Sequence, residues 1–247
     1  MMKASLKYWR CCIVLVAITM ALLETTATFA CCNPNPGVFP PRSHPYGRTY
    51  GEWSNAWWQW ALSIPTSVNP LLDRNGADCS EGQSGPVWFL AGTLENTAGT
   101  KGFFRSCTIP AGKALFFPIA NFVNTNLGCP PTTYTVKQLH DQLDGLIDTV
   151  TTLEADVDGK PIRDIKQLYR AKTDNTSFSV TLPSDNLFTS TSCPIAAGTY
   201  HDLVSDGYYL MLTPLSVGSH TIHFKGETSS GFTTEVTYHL TVRPEKK

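Results

Sequence analysis

Apolar and polar positions change spacing several times along this chain, and each spacing predicts a different element. From Glu52 to Leu62, Trp53, Ala56, Trp57, Trp60 and Ala61 recur at i, i+3, i+4, i+7 and i+8, one face of an α-helix. Pro65 stops that helix. Trp58 falls about 140° around the axis from Trp53, off the stripe, while Glu52, Asn55 and Gln59 share the polar side. A second helix is predicted over Val136–Val150, opened by the capping box of Thr135 and Gln138. Val136, Leu139, Leu143, Leu146, Ile147 and Val150 make its apolar stripe, and Asp141, Asp144 and Asp148 line a face read as solvated. Ile162–Arg170 reads as a short third helix.

Short apolar runs between turn residues predict strands over Pro86–Ala91, Phe103–Ile109, Lys113–Ile119, Thr152–Val157, Ser177–Leu182 and Tyr208–Leu212. Pro118 puts the third of these on an edge or near its end. Asp158-Gly159 is a tight turn. Ser219–Gly226 and Phe232–Val242 form a hairpin. In its second strand Phe232, Val236, Tyr238, Leu240 and Val242 alternate with Thr233, Glu235, Thr237, His239 and Thr241. The class is therefore mainly β (α+β): an immunoglobulin-like or jelly-roll-like antiparallel β-sandwich with two or three packed helices.

The ends of the chain read differently. Residues 1–30 form a secretory signal peptide. Lys3, Lys7 and Arg10 supply its positive start, Cys11–Leu23 its apolar core, and Thr28-Phe29-Ala30 a small-residue cleavage site. The apolar core is shorter than the roughly 20 residues that span a bilayer, and no later segment is long and apolar enough. A cut there puts Cys31 at the new terminus, where lipoproteins are acylated, which makes a lipid anchor at Cys31 the alternative to free secretion. Residues 31–48, rich in Pro and Gly, read as an N-terminal arm, and residues 49–247 as one β-rich domain.

Composition narrows the function. Lys+Arg is 19 against Asp+Glu 20, a formal net charge of -1, with no basic patch to displace counterions, which excludes a nucleic-acid partner. Charged residues are only 16% of the chain, below the roughly 25% of ordinary soluble domains, as suits a β-rich exported protein. Four cysteines remain in the body and allow two disulfides in three possible connectivities; nearness in sequence alone favours Cys79 with Cys107 and Cys129 with Cys193. No zinc-ligand spacing, dinucleotide or phosphate loop or nucleophile elbow is present, so no metal or cofactor is expected.

Trp53, Trp57 and Trp60 read as core, but Trp58 off the stripe, beside Glu52, Asn55 and Gln59, is placed to stack on a sugar ring. Those four are the candidate ligand-binding residues. If the chain is an enzyme, Glu52 is the candidate acid, with Asp73, Asp78 and Asp206 as candidate partners. His220 and His223 fall on opposite faces of one strand and cannot share a metal. His220 turns inward, and His223 turns outward toward Glu235.

The segments YGEWSNAWWQWALSIP (50–65), NPLLDRNGADC (69–79), GQSGPVWFLAG (82–92), RSCTIPAGKALFFPI (105–119) and DGYYLMLTPLSVGSHTIHFKG (206–226) resemble those of a family of secreted bacterial proteins, mostly uncharacterised. The resemblance implies export and a single domain, and no activity for any residue. The leading expectation is a secreted or cell-envelope binding module with an extracellular glycan as ligand. A secreted carbohydrate-active hydrolase and a structural envelope protein are the alternatives.

Overall fold

A computed structural model describes residues 33–173, 176–189 and 191–244. Residues 1–30, read above as a signal peptide, and Cys31 lie outside the described residues. In chain order the elements are α1 (Tyr50–Ser63), β1 (Val87–Phe89), β2 (Phe103–Pro110), β3 (Ala114–Asn124), α2 (Val136–Ile147), β4 (Val150–Val157), β5 (Lys160–Pro161), α3 (Ile165–Leu168), β6 (Arg170–Lys172), β7 (Phe178–Leu182), β8 (Gly198–Leu212), β9 (Gly218–Thr228) and β10 (Thr233–Arg243).

The strands make two five-stranded sheets. One runs β1-β3-β8-β6, with β7 also paired to β8; the other runs β2-β10-β9-β4-β5. The fold is mainly β and sandwich-like, as expected. Two pairings, β1 with β3 and β2 with β10, are parallel, which an all-antiparallel reading does not contain. Parallel neighbours need a crossover connection rather than a tight turn, so local turn signals do not reveal them.

Burial explains the strand patterns. The first sheet is covered on both faces. On one side Phe117 stacks on Phe224 of β9 with ring centroids 5.1 Å apart. On the other, Phe116 and Tyr209, themselves stacked at 5.0 Å, meet Trp53 and Trp57 of α1. Hence β3 is buried from Ala114 through Ala120 and β8 from Leu203 through Leu212 without alternation. The second sheet turns one face to solvent, and β2 alternates strictly from Phe103 to Ile109. Gly226 allows the sheets to touch, because a Cβ there would sit 2.3 Å from the Ile119 carbonyl oxygen.

Several boundaries move. The second helix ends at Ile147, Val150 already belongs to β4, and Leu146 is exposed. The third helix is a single turn, because Arg170 enters β6. Pro118 sits inside β3 rather than at an edge. Its missing N–H is tolerated because β1 pairs only as far as Phe116 and the register with β8 shifts between Pro118 and Ala120. Phe232, expected inward, is exposed at the hairpin mouth. The segment 37–48 is not a free arm: Val38 is buried and bridges to Leu212, and Phe39 O accepts a hydrogen bond from the Tyr50 hydroxyl.

Both expected disulfides are present, Cys79–Cys107 and Cys129–Cys193. They suit an oxidising compartment. No helix among the described residues is long and apolar enough to cross a membrane.

Candidate functional site

Helix α1 starts with a capping box. Glu52 N–H donates to Thr49 Oγ1 at 3.1 Å, and Thr49 N–H donates to a Glu52 carboxylate oxygen at 2.7 Å. That backbone N–H, helped by the Thr49 hydroxyl, holds the Glu52 carboxyl below its usual range. A general acid needs the opposite shift. Glu52 is therefore a capping residue, and the acid/base role the sequence offered it is not supported by its geometry.

The rest of the α1 polar side is likewise engaged. Ser205 Oγ on β8 donates to Asn55 Oδ1 at 2.7 Å, and Gln59 Nε2 donates to the Ser179 carbonyl of β7 at 2.9 Å. Trp58 is 6% exposed, its ring edge-on to Trp57 at 5.1 Å. The open aromatic platform expected of Trp58, Glu52, Asn55 and Gln59 does not exist. The helix sits against β7 and β8 on the side that periodicity assigned to solvent.

Trp58 nevertheless borders a void. Trp53, Trp57 and Trp60 each donate their indole N–H to a carbonyl, of Pro45, Leu90 and Glu81 respectively. Trp58 Nε1 is buried and makes no hydrogen bond of normal geometry. The Tyr209 hydroxyl lies close enough to feel it but is held by Asn121 Nδ2 at 2.9 Å. Beside this cluster opens a cavity of about 360 Å³. Trp57 and Trp58 form one wall, Pro118 to Phe122 of β3 another, and the mouth of the β9–β10 hairpin, with Phe232 and Thr234, a third. Leu94 and Phe232 stand exposed at its rim. Sequence pattern gave no sign of Asn121, Phe122 or Leu94 here.

A larger hollow of about 470 Å³ lies on the solvent face of the second sheet, lined by Ser106, Thr108, Thr221, His239 and Thr241. It is open and hydroxyl-lined. The smaller cavity is more enclosed and has aromatic walls, the usual character of a small-molecule site.

At the edge of the larger hollow, Ser216, His220 and Asp158 stand in the order of a hydrolytic triad. Ser216 Oγ is 3.2 Å from His220 Nε2, and His220 Nδ1 is 2.8 Å from Asp158 Oδ2. The same Nε2 lies 3.0 Å from the Ser216 carbonyl oxygen, which can only accept. The Asp158 hydrogen bond, the largest influence, raises the His220 pKa. His220 thus ties the β4–β5 turn to β9, and a nitrogen that donates to the Ser216 carbonyl is not free to take a serine proton. His223, as expected, faces outward, with Nε2 3.1 Å from Glu235 Oε1.

Two of the other acidic candidates, Asp73 and Asp206, hold structure. Asp73 accepts the N–H groups of Asn75, Gly76 and Asp78. Asp206 is fully buried. Desolvation raises its pKa, opposed by Arg170, which lies 2.6 Å away. Arg170 also meets Asp144 at 2.6 Å, and Lys172 meets Asp144 at 2.8 Å. Asp144 is therefore no free helix-face charge. Among the described residues no group of three His, Cys, Asp or Glu could hold a metal.

No protein-family model matches this chain, and neither a curated protein nor a solved structure does.

Proposed function

We propose that this chain is an exported binding module whose ligand enters the cavity beside Trp58. The observation that carries the reading is the aromatic-walled void of about 360 Å³ between α1, β3 and the β9–β10 hairpin. That volume lies at the small end of ligand pockets. None of its lining side chains is a carboxylate, histidine, lysine or cysteine, which favours binding over acid–base or nucleophilic chemistry. Export is supported by the signal-like residues 1–30 and by the two disulfides. Membership of the secreted bacterial family belongs to the same proposal.

A glycan stacked on an open Trp58 face is the weaker form of the reading, because Trp58 is buried against Trp57 and offers no open face to solvent. The deciding experiment is a titration of the disulfide-intact protein, read by tryptophan fluorescence, with small aromatic compounds and soluble oligosaccharides. A saturable change that Phe232→Ala weakens supports the cavity. No saturable change with any compound moves the protein to the structural-envelope reading.

A further inference from the structure

The chemistry of the cavity wall limits its occupant. No lining residue carries a charge. Putting an ion there without a counter-charge costs several kcal/mol. The wall's polar groups are Thr93, Asn121, Thr228 and Thr234, and most are already engaged. Thr93 Oγ1 accepts from Glu95 N–H at 3.0 Å. Thr228 Oγ1 pairs with Ser230 Oγ and accepts from Phe232 N–H. Asn121 Nδ2 donates to Tyr209, and Thr234 Oγ1 accepts from Thr93 N–H at 3.3 Å. What remains is the Asn121 side-chain oxygen, the Thr234 hydroxyl proton and the unpaired Trp58 indole N–H. That is one acceptor and two donors, too few for the ring of hydroxyls on a sugar, most of which would lose their water without replacement.

The apolar walls select further. Trp57, Trp58, Phe122 and Phe232 supply aromatic surface, joined by Leu71, Pro118 and Ile119. Aromatic walls favour flat partners through offset and edge-to-face contacts. We infer that the cavity takes an uncharged aromatic molecule of one or two rings carrying at most two or three hydrogen-bonding groups. This inference rests on the binding-module reading and names the ligand class for that same site.

The test uses the disulfide-intact protein and five probes: 1-naphthylamine and 1-naphthol as neutral aromatics, 1-naphthalenesulfonate and 1-naphthylmethylammonium as charged ones, and cellohexaose as a saccharide. The expected result is saturable binding of both neutral probes, with each charged probe at least tenfold weaker and no saturable binding of cellohexaose. Ala120→Leu, which adds side-chain volume at the cavity wall, should weaken the neutral probes at least tenfold. Should that variant not fold, Phe232→Ala carries the test, because Phe232 is an exposed rim residue, and a several-fold loss is expected. If the sulfonate or cellohexaose binds as tightly as 1-naphthol and Phe232→Ala weakens it, the ligand class is overturned while the binding-module reading stands. If no probe saturates, or if binding ignores both variants, the cavity reading itself falls.

Discussion

Arg105 Nη1 lies 2.8 Å from the Tyr238 hydroxyl, and the contact holds a cation inside the second sheet with oxygen dipoles as its hydrogen-bond partners. Arg105 is 1% exposed. Its Nε donates to Asp73 O at 2.7 Å, and Nη1 donates to Ala91 O at 2.7 Å and Gly92 O at 2.9 Å. The guanidinium also faces the Phe103 and Tyr238 rings, each about 5.5 Å away. One side chain thus joins β2, β10 and the loop that carries Gly92 into the cavity wall. Arg105→Met strips three buried carbonyls of a donor and should cost about 3 kcal/mol or more in urea unfolding. Arg105→Lys should not restore the loss, because an ammonium lacks the planar fork.

The capping box separates a structural from a catalytic role for Glu52. Thr49→Ala should lower stability by about 1 kcal/mol. Glu52→Gln keeps the acceptor for Thr49 N–H and should leave both the melting temperature and ligand affinity close to those of the parent. A large loss of any hydrolytic activity in Glu52→Gln, with the fold intact by circular dichroism, would contradict this assignment.

The two disulfides close segments of 28 and 64 residues. On the chain-entropy relation they contribute about 3.6 and 4.3 kcal/mol. Removing Cys129–Cys193 as a double serine variant should therefore destabilise at least as much as removing Cys79–Cys107. Equilibrium denaturation of the two variants under oxidising conditions gives the order directly.

His220 and Asp158 set a pH window. His220 has its pKa raised, chiefly by the Asp158 hydrogen bond. Its contribution is complete below the unfolded value of about 6.5 and is lost as pH rises through the folded value. Burial resists ionisation of Asp158, but hydrogen bonds from His220 and Thr221 N–H outweigh it and lower its pKa. Its contribution is present above an unfolded value of about 3.9 and is lost as pH falls through the folded one. The clamp is strongest between those limits. His220→Gln should cost up to about 1 kcal/mol near pH 5, since Asp158 is partly solvated. The difference from the parent should shrink toward pH 8. A gap independent of pH would show that no ion pair is involved.

Local pattern carried much of this architecture. The Trp53–Ala61 stripe, the Thr135–Gln138 box and the β9–β10 alternation all depend on neighbours within a few residues, and all three are present. The candidate site was less legible. Periodicity identifies the face an element must bury; it does not say whether a second face will also be covered. That depended on β7 and β8, more than a hundred residues from α1, which hydrogen-bond Gln59 and Asn55. The same long-range covering left β3 and β8 without alternation and let Pro118 sit at a register shift inside a sheet. Nor does any local signal place Arg105 among carbonyls from two separate segments, or bring Phe232 and Trp58 to the walls of one cavity. The sequence alone determined α1 and α2 with their caps and the β9–β10 hairpin, because those follow from short-range geometry; the cysteine pairing was one choice among three that the fold settled. The cavity was decided only by the tertiary structure, because a void exists where distant surfaces fail to meet.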